Sequence, residues 1–237
     1  MDRGDCLQGD PEAADATGQH GPRHPRLSAP GVTIGDLTTW ARARLPRTTF
    51  DLRGGAPSVV GPTLAQLDGL SREYPEVAAR IEELRLEDLP TGGYGQPAVF
   101  GRSQAARANR RSTLVLNRAY FSRPGRLARR IHVMAANGWH PTGTSQVESI
   151  VTHEFGHHVM FWLQDEGFDP VPGIRASTAD RRELSGYANT APEEAFSEAF
   201  VAHHLGDENA RNHPLTRTVV QFIERSLRSI RGRRREP

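Results

Sequence analysis

The chain has 237 residues, 36% hydrophobic and 24% charged, with a formal net charge of +2, which suffices for one globular domain with extra segments. A single cysteine, Cys6, excludes an intrachain disulfide framework, and all 30 basic residues are arginine, which excludes P-loop, Schiff-base and lysine-anchored pyridoxal chemistry. No apolar run approaches the roughly 18 to 20 residues of a membrane span, and the start MDRGDCLQGD lacks the charged and apolar regions of a signal peptide, so the expectation is a cytoplasmic chain with no membrane partner.

Residues 1–30 are rich in Gly, Pro, Asp and Ala and poor in large apolar side chains, a composition that predicts disorder. In 36–45 and 64–89 the spacings Leu64-Leu67-Leu70 and Val77-Ile81-Leu84 predict amphipathic helices, so 31–95 reads as a helical N-terminal segment. With no lysine available, Gly92-Gly93-Tyr94-Gly95 reads as a turn or flap rather than a phosphate cradle. Two short apolar runs, 97–100 and 112–117, predict strands. A helix follows over 125–136, with Leu127, Ile131 and Met134 on one face, and then Gly138-Trp139-His140-Pro141 forms a loop.

That loop leads into His153-Glu154-Phe155-Gly156-His157, the most informative segment of the chain. Residues i and i+4 of a helix share a face, so both imidazoles can address one metal ion. Glu154 projects about 100° away, where it can act as a general base on water without being a ligand. Ser145 with Glu148 reads as a capping box, and Val147, Val151, Phe155, Val159 and Trp162 recur at helical spacing until Gly167. His158 points away from His157 and reads as a packing or capping residue.

A catalytic zinc usually takes three protein ligands. The extended pattern with Gly and His further along the same helix is absent, because Met160 and Leu163 occupy those positions. Downstream, Thr190, Pro192 and Glu193 mark another helix start. On that helix Glu194 and Glu198 form one i, i+4 pair, and Phe196 and Phe200 form another on a different face. By itself Glu194 reads equally as a helix-start carboxylate, with Glu193 as its nearest competitor. Tyr187 reads as a loop-corner residue or a hydrogen-bond donor, and His203 and His204 suit a helix C-terminus. From 215 to 230, Val219, Phe222, Ile223, Leu227 and Ile230 make a last amphipathic stripe. The basic run that follows, from Arg231 to Arg235, reads as a solvated end or a nucleic-acid contact.

The HEFGH run, Tyr187, and Glu194 within Glu194-Ala-Phe196-Ser-Glu198-Ala-Phe200 together resemble the gluzincins. The similarity is to catalytic domains of the anthrax lethal factor type and to zincin domains of phage-associated proteins and bacterial toxins. It spans roughly residues 113–205; nothing before about residue 95 resembles the large toxin, so no substrate carries over. The resemblance implies an α+β zincin-like domain over 96–231, followed by a basic tail at 232–237, and one Zn2+ held by His153, His157 and Glu194. It implies that Tyr187 donates to the developing oxyanion and that Glu198 lies behind the ligands, holding a ligand histidine. It also implies a peptide or protein substrate docked on the strand beside the active-site helix, whose counterpart here is 114–116. The expected function is a zinc endopeptidase with Glu154 as base. The alternatives are a non-catalytic zincin fold with a structural or nucleic-acid-binding role, for example in a phage particle, and hydrolysis of a non-peptide amide. An intact Glu154 argues against the first, because a structural zinc site needs no base and usually closes with four protein ligands.

Overall fold

The computed structural model describes residues 27, 29–89, 101–104 and 112–233. The chain is α+β, with a small mixed sheet and eleven helices among the described residues. Most of the expected disordered tail, and the run at 97–100, lie outside those residues. Leu27, at the tail's end, is buried in the core and its carbonyl lies close against Gly61, where any side chain would collide with it.

Helix α1 (Ile34–Arg44) opens with a capping box, in which Thr33 caps the Asp36 amide and Asp36 returns to the Thr33 amide. Strand β1 (Thr49–Asp51) leads into α2 (Pro57–Glu73), which starts on a proline, the residue whose missing N–H costs nothing at a first helical turn. A short α3 (Pro75–Ala78) precedes β2 (Glu83–Glu87). Here the helix expected over 64–89 stops early. Tyr74-Pro75 interrupts it, and Leu84 and Leu86, two apart in Glu-Leu-Arg-Leu-Glu, are buried on one side of a strand while their neighbours are half-exposed.

Strand β3 (Gly101–Gln104) and β4 (Thr113–Asn117) complete the sheet, in the order β1-β2-β4-β3. The first three strands in that order are parallel and β3 is antiparallel to β4. Two strands therefore come from before residue 95 and two from after it, so the boundary expected there divides one sheet and one continuous hydrophobic core. The strand expected as a docking edge is also displaced. Residues 114–116 lie in β4, buried along its whole length between β2 and β3, as an apolar run in a covered parallel sheet must be. Among the described residues, the edge beside the helix of the HEFGH segment is β3.

Two short steps, α4 (Arg118–Phe121) and α5 (Pro124–Ala136), lead to α6 (Glu148–Asp165), the helix of the HEFGH segment. Its N-cap is Val147 with no side-chain bond, so Ser145 does not form the expected capping box. After α7 (Val171–Ala176) and α8 (Thr178–Leu184) comes α9 (Pro192–Leu205), which packs closely on α6. Gly156 permits this. A Cβ there would lie 3.1 Å from the Ser197 Cα and 3.3 Å from the Phe200 Cβ. Helices α10 (Glu208–Asn212) and α11 (Pro214–Arg233) close the fold, with Val219, Ile223 and Ile230 buried. Arg231 pairs with Glu76 and Arg233 lies over the Phe168 ring, so these two arginines of the basic end are engaged within the chain. No described helix is long and apolar enough to cross a membrane.

His204, in the last turn of α9, is half-buried beside Phe200 and Tyr74, and lost hydration followed by the nearby His203 holds its pKa down at about 3. The unfolded chain, titrating near 6.5, therefore binds a proton that the native state refuses. Native stability attributable to this residue is whole above pH 6.5 and declines as pH falls toward 3, by up to about 1.4 kcal/mol per pH unit. Denaturant titrations of chelator-treated protein at pH 7, 6 and 5 should show a steep acid loss that becomes shallower by roughly 1 kcal/mol per pH unit in His204→Gln. An unchanged slope would mean that His204 accepts its proton in the folded state.

Candidate metal centre

The site forms where the middle of α6 meets the start of α9. The i, i+4 imidazoles of His153 and His157 bring their Nε2 atoms within 3.2 Å of each other. Across the contact, Glu194 places Oε2 3.0 Å from His153 Nε2 and 3.5 Å from His157 Nε2. Among the described residues these three side chains form the cluster that can hold a metal ion. Glu193, one residue earlier, does not join it, and neither do His158, His203 or His204. Glu194, and not Glu193, is the carboxylate that faces both imidazoles.

Glu198, one turn beyond Glu194, meets the other end of the same ring: its Oε1 lies 2.8 Å from His153 Nδ1. His153 is gripped by carboxylates at both nitrogens, which fixes its orientation in the way a carboxylate fixes a metal-ligating histidine. Ser185 Oγ donates to Glu198 Oε2 at 3.0 Å and accepts from the Ala188 amide, tying the turn that carries Tyr187 to α9. Burial alone would raise the Glu198 carboxyl, but His140 and His153 outweigh it and hold it down at about 2. Glu194 behaves alike: His153 and His157 overcome the effect of burial and keep it well below the ordinary range. His153 is disfavoured as a cation by burial, yet Glu194 and Glu198 lift it well above 6.5. The site therefore stabilises positive charge where the three donor atoms converge.

Glu154 stands apart from this cluster. Its carboxylate accepts from Ser103 Oγ on β3 at 2.7 Å, and burial is the leading cause that raises its pKa. Gly101 on the same strand covers it so closely that a Cβ would lie 2.6 Å from Oε1. A half-open cavity borders Glu154, His153 and Tyr187, walled also by His140, Ile150 and Val201. The Tyr187 ring meets the edge of His153, with centroids 5.6 Å apart, and its phenol is kept protonated by burial and then by Glu194, Glu154 and Glu198.

His158 points the other way, to Ser112 at 3.0 Å, and burial holds it at about 4, consistent with its expected packing role. Sequence reasoning missed Ser103, Ser185 and His140 as site residues. The first two lie at short-range positions with no pattern of their own, and His140 was visible only as part of a loop leading into α6.

No family model matches the chain, and no curated protein is found to match it.

If Glu194 is a ligand and Glu193 a bystander, Glu194→Ala should lower metal binding sharply while Glu193→Ala leaves it near wild type. Metal content of the two purified variants, by atomic emission after dialysis against trace zinc, checks this, and equal retention would reject the assignment.

Proposed function

We propose that the chain is a zinc-dependent hydrolase, most simply an endopeptidase, with one zinc held by His153, His157 and Glu194. The observation that carries this reading is the spacing of the donor atoms, 3.0, 3.2 and 3.5 Å apart. Ligand atoms at zinc distances of about 2.0–2.1 Å on a tetrahedron lie about 3.3 Å from one another. Two imidazoles and one carboxylate are also the donor set of hydrolytic zinc sites that keep a fourth position for water.

Zinc, when bound, supplies a Lewis acid that polarises the scissile carbonyl and the attacking water. The chain's own groups do the rest. Glu154, with its pKa raised first by burial, takes the proton of the attacking water and returns it to the leaving amine. Ser103 steadies that carboxylate from the strand side. Tyr187, held protonated at the cavity wall, donates its phenol hydrogen to the oxygen on which charge develops. An extended substrate is taken to lie along β3, the edge strand of the described sheet, pairing its backbone in the manner of strand addition. A non-catalytic role is disfavoured, because a carboxylate only 6% exposed and outside the donor cluster costs stability that a structural zinc site would not require.

Glu154→Gln should keep zinc at one per chain and lose hydrolysis by the order of 10² to 10⁴, measured on a peptide-library digest. Cleavage at the wild-type rate would defeat the base assignment.

Gly101→Ala should reproduce that phenotype without touching a charged residue, since the new methyl displaces the Glu154 carboxylate. Zinc content should stay at one and turnover should fall at least about tenfold. Full activity would show that the β3 strand yields to the methyl and does not hold the base.

A further inference from the structure

The loop before α6 brings one more imidazole to the cavity. Gly138 turns with φ of 70°, and the segment after it runs against the turn that carries Tyr187: the Gly186 amide donates to the Gly138 carbonyl at 2.7 Å and the Tyr187 amide to the Trp139 carbonyl at 3.2 Å. Gly186 is needed for this approach, because a Cβ there would lie 3.2 Å from the Trp139 ring. These two backbone bonds set His140 beside Tyr187. The rings stack with centroids 6.0 Å apart and planes 27° from parallel. On its other side, His140 Nδ1 lies 3.5 Å from Glu198 Oε2. Glu198 is 1% exposed and gives its other oxygen to His153. One buried carboxylate is thus shared by an imidazole in the donor cluster and an imidazole outside it, and the outer one also lines the cavity with Glu154 and Tyr187.

We propose that His140 is a positioning residue for the hydrolysis, holding Glu198, and through it the His153 ring, with Nδ1, and holding the Tyr187 phenol with the face of its ring. This rests on the zinc-hydrolase reading above. Packing alone accounts for neither the carboxylate facing Nδ1 nor the backbone pairing that sets the ring against Tyr187. The two tasks use different parts of one side chain, so they separate by substitution. His140→Phe retains a ring against Tyr187 and removes the donor to Glu198; His140→Asn retains a donor near the Nδ1 position and removes the ring.

Zinc affinity is read by competition with a chromophoric chelator, and kcat and KM are read at saturating zinc. In His140→Phe, zinc should bind roughly 10 to 100-fold more weakly, while the zinc-saturated kcat stays within about fivefold of wild type. In His140→Asn, zinc affinity should stay within about threefold, while kcat falls by about tenfold or more with KM little changed. Wild-type zinc affinity and kcat in both variants would overturn the proposal. So would a parallel fall of both readouts in both variants together with thermal stability, which is the signature of lost packing. A wild type that binds zinc no better than His153→Ala would instead defeat the zinc reading, and the role of His140 with it.

Discussion

The approach of α9 to α6 across Gly156 is the contact on which the site depends. With no side chain at residue 156, the helices close until Ser197 and Phe200 lie against the α6 backbone. At that separation Glu194 and Glu198, one turn apart on α9, reach the two nitrogens of His153, and Glu194 also reaches His157. A bulkier residue at 156 would widen the contact by a few tenths of an ångström, comparable to the tolerance of a metal site. Phe155 on α6 and Phe200 on α9, both fully buried, stack beside this contact with ring centroids 6.3 Å apart.

The electrostatics follow from that geometry. Glu154, Glu194 and Glu198 gather around His153, and like charges at low dielectric are tolerated only when compensated. Each has a different answer. Glu198 is neutralised by His153 and His140 and satisfied by Ser185, and it stays ionised. Glu194 is ionised by the two histidines it faces. Glu154 accepts from the neutral Ser103, and its pKa rises because burial outweighs His153, His157 and that hydrogen bond. Environment therefore divides three chemically identical groups into a holder, a candidate ligand and a candidate base, the kind of pKa separation by which acid and base roles are assigned in active sites.

The site as a whole is assembled from segments far apart in the chain. The strand β3 contributes Gly101 and Ser103, α6 the imidazoles and Glu154, the loop before it His140, and the turn before α9 Tyr187 and Ser185. Helices α6 and α9 carry the donor atoms and Glu198. Tyr187 and His140 sit instead on two connecting segments that are pinned to each other by backbone hydrogen bonds, so their ring stack is set by pairing and not by helix geometry.

What the sequence by itself determined was the content of single helices. The 3.6-residue turn fixes which side chains share a face, so the His153–His157 and Glu194–Glu198 pairs, and the starts of α9 at Pro192 and the end of α6 before Gly167, were readable from spacing. The α+β class was legible as well, from helical stripes, short apolar runs and the resemblance to the gluzincins. Where a short apolar run served either period, spacing failed: Leu84 and Leu86 fitted a helix until pairing with β4 made them a strand. Tertiary structure alone decided which strand lies at the edge, that the sheet crosses the expected boundary at 95, and that Ser103 meets Glu154. It also decided that His140 shares Glu198 with His153. These contacts join residues 41 to 58 positions apart, as with His153–Glu194, Ser103–Glu154 and His140–Glu198. No local periodicity encodes such a pairing, because it depends on how closely two packed elements approach, and here that distance is set by the absence of a side chain at one residue, Gly156.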